Sequence, residues 1–143
     1  MADTSLGFRY RGRMSDGPPT IQDLLFSDTE TLTKGDLVNI ETGEVDLAAT
    51  TDTTLLGMVM EVAVSGTDST TRIKVIVDSD ALYGVYDANA RLKGATLDIA
   101  GATGAQTVTT SSNKNFVVHG ESTADQETLV RFNIGKHQDN VAL

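Results

Sequence analysis

The feature that most constrains this chain is the spacing of its apolar residues. They come in short runs, such as Leu55-Leu56-Gly57-Met58-Val59-Met60 and Val75-Ile76-Val77, bounded by Gly, Asp, Asn, Ser and Thr. Most of the sequence lacks the 3.6-residue repeat of an amphipathic helix, and runs punctuated in this way are the mark of strands and turns. The chain is also rich in threonine, whose branched Cβ suits a pleated, half-exposed surface. The expected fold is all-β: a compact β-sandwich or β-barrel-like domain with an extended N-terminal arm and little helix.

The strands predicted along the chain are Asp36–Glu41, Glu44–Ala48, Leu55–Val64, Thr71–Val77, Leu82–Tyr86, Ala95–Ile99, Asn115–His119 and Thr128–Ile134. Thr42-Gly43 marks a hairpin turn between the first two. The long apolar run Leu55–Val64 reads as a central strand, and Gly84 as a break in its own. In Thr71–Val77, residues Ile73, Val75 and Val77 alternate with Arg72, Lys74 and Ile76. Ile21–Phe26 fits the start of a short helix, with Thr20 as N-cap and Asp23 in the first turn, although a strand or loop fits as well.

The chain has 143 residues, enough for one domain or for one domain and an appended arm. A chain of this size buries roughly 68–70% of its unfolded surface, so it can hold a core of its own. The composition changes at Pro18-Pro19. Before that pair, Arg9, Arg11 and Arg13 outnumber Asp3 and Asp16, whereas the rest is strongly acidic and the whole chain carries a formal charge of −9. Two prolines stiffen the junction. The expected organisation is an arm over residues 1–20 that stands outside the core, followed by one β-rich domain over residues 21–143.

Charge and composition argue against several functions. A chain this acidic is a poor general ligand for nucleic acid, which needs clustered Lys and Arg. It has no cysteine, which removes disulfides, zinc–cysteine sites, iron–sulfur clusters and cysteine nucleophiles. It has no Trp and only 5% aromatic residues, a poor basis for a stacking platform. The first twenty residues hold no apolar stretch that reads as a secretory signal, and the longest apolar run is far below the ~20 residues of a membrane span.

No constellation reads as a reaction centre. Asp78 and Asp80 form a D-x-D pair at a strand end. Two carboxylates there could bind a divalent ion, but turn capping through nearby backbone amides is the expected role, since the rest of a calcium loop is missing. His119 and His137 are the only histidines and are expected at the surface. Ser122 and Asp125 follow His119, but no nucleophile elbow accompanies them. Gly101-Ala102-Thr103-Gly104 lacks the lysine of a phosphate-binding loop and reads as a tight turn. Lys34-Gly35-Asp36-Leu37-Val38 is a common barrel-hairpin string, yet the tip Glu41-Thr42-Gly43-Glu44 carries no lysine for a lipoyl group. The chain is therefore expected to be no enzyme, with no catalytic residue, no cofactor and no metal.

The arm is the most distinctive feature. In Phe8-Arg9-Tyr10-Arg11-Gly12-Arg13 an extended backbone turns Phe8, Tyr10 and Gly12 one way and the three arginines the other. Arg and Tyr are enriched at protein interfaces. Phe8, Arg9, Tyr10, Arg11 and Arg13 are thus the expected partner-binding residues, against the alternatives of a disordered tail or an RNA-binding arm.

The stretches KGDLVNIETGEVDLAATTDTTLLGMVMEVA, VIVDSDALYGVYDANARLKGATLDIAGATGAQ and ETLVRFNIGKH extend this pattern over roughly residues 30–137. The combination resembles the small capsid decoration, or cement, proteins of tailed bacteriophages. That resemblance implies a β-rich, commonly trimeric protein on the outer surface of the head, made in the host cytoplasm and clamping major capsid protein subunits against internal pressure. It implies the major capsid protein and sister subunits as partners, and no nucleic acid, membrane or small-molecule substrate. The arm would reach capsid or a neighbouring subunit. Other readings are a fibre, baseplate or tail component, and a small trimeric β-barrel nucleotide hydrolase, whose style Asp78, Asp80 and Gly84 mimic without its motifs.

Overall fold

Buried and exposed side chains alternate along the strands as a half-buried sheet requires. In Gln126–Phe132, residues Thr128, Val130 and Phe132 are buried, while Glu127, Leu129 and Arg131 face outward and are half-buried. The structure, a computed structural model, describes residues 7–25, 31–41, 43–61, 64–65, 72–110 and 112–138. The described strands are β1 (Phe8–Arg13), β2 (Ile21–Leu25), β3 (Thr31–Leu32), β4 (Leu37–Glu41), β5 (Glu44–Leu47), β6 (Gly57–Val59), β7 (Val64–Ser65), β8 (Arg72–Ile76), β9 (Ala81–Asp87), β10 (Thr96–Ala100), β11 (Thr107–Thr109), β12 (Phe116–Gly120) and β13 (Gln126–Phe132).

They form two main antiparallel sheets. One has six strands in the order β1-β9-β13-β12-β10-β11, the other five in the order β2-β8-β6-β4-β5, and β3 pairs with β7 separately. The two sheets pack face to face as a β-sandwich, which agrees with the all-β expectation. Their shared core holds Phe8, Tyr83, Val85, Leu97, Ile99, Phe116, Val130 and Phe132 from the six-stranded sheet, and Leu37, Met58 and Ile76 from the other. The five-stranded sheet also buries its second face. Val38, Val45, Val59, Ile73, Val75 and Val77 cluster there with Leu32 and Leu56. Its edge strands β2 and β5 approach each other, so this sheet curls around the second cluster.

The double burial explains the pattern of β8. Ile73, Val75 and Val77 enter the curled sheet while Ile76 points to the sandwich core, so the strand is neither purely alternating nor uniformly apolar.

The structure decides one open choice and changes two local expectations. Ile21–Leu25 is a strand, because β8 offers it a continuous antiparallel ladder from Ile21↔Ile76 to Leu25↔Arg72; pairing overrides the helix-start signal. Phe26 lies outside the described residues. The apolar run Leu55–Val64 is not one strand. Leu55 makes an isolated bridge to His137, β6 occupies only Gly57–Val59, and the Glu61 carboxylate accepts the Lys74 N–H at 3.0 Å where the ladder would have continued. Gly84 does not break β9, which runs unbroken from Ala81 to Asp87 between β1 and β13.

The segment expected to stand outside the core proves to be part of it over residues 8–13. They form β1, paired with β9 through Phe8↔Val85, Arg9↔Gly84 and Tyr10↔Tyr83. Phe8 is only 3% exposed and packs on Phe116 and Tyr83, with ring centroids 5.6 and 6.4 Å away. The physical reason is the alternation itself. Phe8 and Tyr10 supply an apolar edge that the six-stranded sheet buries, which stabilises more than a solvated tail does. Residues 1–6 lie outside the described residues.

Candidate functional site

The residues singled out in the sequence all lie on β1, and their two faces have different fates. Phe8 and Tyr10 point inward. Tyr10 packs edge-on against Tyr83 at 6.3 Å, and the hydroxyls of both tyrosines are buried with no hydrogen-bond partner among the described residues. Burial, reinforced by the charge of Asp78, pushes both phenols above their ordinary range.

Arg9 and Arg11 point outward, and the Glu127 carboxylate lies near both. Glu127 lies 2.7 Å from the Arg11 guanidinium and 3.7 Å from that of Arg9. Glu127 sits on β13, two strands from β1, and reaches across β9 over Gly84, where the missing side chain leaves room.

Arg13 belongs to a third environment. Its Nε donates to Asp80 at 2.8 Å and its Nη1 lies 3.5 Å from Asp78. Asp80 also accepts from the Ser15 hydroxyl and N–H, and Asp78 accepts the Thr20 N–H at 2.7 Å. Burial works against ionisation of Asp80, but Ser15 and Arg13 outweigh it and hold the carboxyl below the usual range. The D-x-D pair is thus a clasp for residues 13–20, more than fifty positions away in sequence, and not a cap on its own turn. It guides the chain from the six-stranded sheet across to β2, through a tight turn with Asp16 and Gly17 at positive φ.

Other candidates are separated. The Ser122 hydroxyl pairs with Thr128 at 2.8 Å, and Asp125 accepts from the Tyr86 hydroxyl at 2.7 Å. His119 is half-buried on β12. His137, expected at the surface, is 1% exposed, with Nε2 2.6 Å from the Leu56 carbonyl and its ring against Phe132 at 5.0 Å. It is buried where residues 136–138 run beside Leu55, whose N–H donates to Lys136 O and whose carbonyl accepts from Gln138 N, both at 2.8 Å. The Gly101–Gly104 loop turns back on itself, and Asp36 ties it down by accepting from Gly104 N at 2.8 Å and from the Thr103 hydroxyl. Among the described residues, no group of three or more His, Asp or Glu is placed to hold a metal ion, and no helix is long and apolar enough to cross a membrane.

Two glutamines were not legible as special. Gln106 is fully buried; its side chain accepts from Leu37 N at 2.6 Å and donates to the Leu37 and Ala48 carbonyls. Gln138 does the same for Ile40, at 2.7 and 3.2 Å. Each amide adds backbone-like bonds to β4 just past the end of a ladder, Gln106 between Leu37 and Ala48 after the last β4–β5 pair and Gln138 at Ile40 after the last β4–β6 pair. Neither has a sequence signature, because the donor–acceptor match exists only once β4 is in place.

Beside β1 a cleft of about 400 Å³ opens between the sheets, lined by Tyr10, Arg11 and Lys34 and floored by Met58, Met60 and Ile76. β1 is the first strand of its sheet, so among the described residues no strand pairs with its outer edge at Tyr10. What this arrangement offers is a rigid edge, an apolar floor and a cationic rim.

No protein-family model matches this sequence, and no curated protein matches it.

Proposed function

We propose that this chain is a structural capsid decoration protein. In this reading it binds the outer surface of a tailed-bacteriophage head as a homotrimer and stabilises contacts between major capsid protein subunits. Two things support the reading. The fold is nearly all β, and the resemblance implies a β-rich protein. The observation that carries it further is β1, whose inward residues are locked in the core while Arg11 remains 46% exposed beside an open cleft. A rigid strand presents its contacts without the ordering cost of a floppy tail. Three such surfaces on one trimer gain from effective concentration, and avidity can exceed a single contact by ~10²–10⁴. The acidic remainder keeps a densely decorated particle soluble.

The test is co-sedimentation of the purified chain with undecorated, expanded heads of the virus that carries this sequence, with light scattering of the free protein. Saturable binding at three chains per site is the expected result. Failure to sediment with heads under any salt condition overturns the reading.

A further inference from the structure

The connection from β1 to β2 passes through Asp16-Gly17, the one Asp-Gly step in a sequence that has no Asn-Gly. Both residues are exposed, and both have positive φ, 60° and 92°. The chain is fastened on either side of them. Before the step, Ser15 donates to Asp80 through its N–H and its hydroxyl. After it, the Pro18 carbonyl accepts from Arg13 at 3.4 Å and the Thr20 N–H donates to Asp78 at 2.7 Å. The two groups that could react with each other are left out of this bonding. Asp16 N–H donates to Arg13 O at 3.1 Å, but among the described residues the Asp16 carboxyl has no hydrogen bond or ion pair, and Gly17 N–H has no acceptor. A Cβ at Gly17 would meet nothing within 4 Å, so the peptide has room to turn.

We propose that Asp16-Gly17 is a site of spontaneous backbone isomerisation in the folded protein. The backbone nitrogen after an aspartate can attack the side-chain carboxyl carbon, and a glycine there has no Cβ to obstruct the approach. Gly17 N bonds to Asp16 Cγ, its proton and the carboxyl hydroxyl leave as water, and a five-membered succinimide closes. Water then adds to one of the two ring carbonyls. Addition at Cγ breaks the new bond and restores aspartate. Addition at the α-carbonyl breaks the original peptide bond and leaves isoaspartate, in which the chain runs through Cβ and Cγ. Nothing is oxidised or reduced, and the mass is unchanged. The link between Ser15 and Gly17 becomes one backbone atom longer, between the points where Asp80 and Asp78 hold the chain. Aspartates in the core are kept from this reaction. Asp36, Asp78, Asp87 and Asp98 are buried, their carboxylates accept from backbone N–H groups, and each precedes a residue that carries a side chain.

The experiment ages the purified full chain in neutral buffer at physiological temperature, beside a capped peptide of residues 14–20. Proteolytic digestion and electron-transfer fragmentation, which cleaves isoaspartate between Cα and Cβ, locate and count the product. The expected result is isoaspartate at position 16, accumulating faster than at any other aspartate and within tenfold of the rate in the peptide. Asp16→Glu, which would have to close a six-membered ring, abolishes it. Faster accumulation at another aspartate overturns the inference. So does a rate at Asp16 more than tenfold below that of the peptide, because the folded turn would then hold Gly17 N away from the carboxyl.

Discussion

Glu127 lies over Gly84, and that contact joins three strands on the outer face: β13 carries the carboxylate, β9 supplies the gap, and β1 supplies Arg11 at 2.7 Å. A Cβ at Gly84 would overlap the Glu127 carboxyl, which is the mobile end of a flexible side chain. Gly84→Ala should therefore swing Glu127 aside and break both ion pairs at a cost of no more than about 1 kcal/mol, the usual worth of exposed pairs. Gly57 differs: a Cβ there would overlap the Ile76 carbonyl, which is backbone. Gly57→Ala should cost more than about 3 kcal/mol. Urea denaturation of the two variants checks the contrast, and equal losses would refute it.

Phe8→Ala should destabilise by about 3–5 kcal/mol, the range for emptying an aromatic site in a packed core. Deleting residues 1–14 should be worse, since it removes β1 whole. A truncated protein that melts at the temperature of the full chain would mean that β1 contributes nothing to the core.

The arginines of β1 should separate by function. Arg13→Ala takes the cation from Asp80 and from Asp78, whose side chain is 4% exposed, and should lower the melting temperature more than Arg11→Ala does. Arg11→Ala should cost less than about 1 kcal/mol but weaken head binding and its salt dependence. Melting curves and co-sedimentation of the two variants, run side by side, give the answer.

Gln106→Leu removes the partners of Leu37 N and the Ala48 carbonyl inside the core, while the Leu37 carbonyl keeps the Ala48 N–H. The expected loss is about 2 kcal/mol or more, because each orphaned buried group costs about 1–3. Tyr83→Phe has the opposite expectation: it deletes a buried hydroxyl that lacks a partner and should be neutral or stabilising by about 1 kcal/mol. Chemical denaturation reads both.

Two aspartates should shape the acid limb in opposite senses. The Asp80 carboxyl is lowered in the fold, so its stabilisation is present above the unfolded carboxylate range near ~3.9 and lost as pH falls through the folded value. Burial raises Asp52, so its ionisation opposes folding and the penalty appears as pH rises through its raised value. Asp80→Asn should flatten the fall in stability below about pH 4. Asp52→Asn should be at least as stable as the parent at neutral pH, with the difference vanishing in acid. Stability measured from acid to neutral pH tests both signs.

The sequence by itself determined the class of fold and most of its strands. Period-two runs such as Thr71–Val77 and Thr128–Ile134, closed by turn residues, leave the chain little else to form, since burial of alternate side chains is a local property of the pleat. It also marked Phe8–Arg13 as two-faced, but could not say which surface the apolar face would meet. Tertiary structure decided that. The slot beside β9 was open, and burying Phe8 against Phe116 and Tyr83 stabilises more than solvation does, so the expected arm became an edge strand. The same holds for Asp78 and Asp80, His137, Gln106 and Gln138. Their roles depend on a backbone amide, a guanidinium or a carbonyl brought from some sixty to a hundred positions away. A hydrogen bond forms only between groups already within about 3 Å, and no local pattern encodes that meeting.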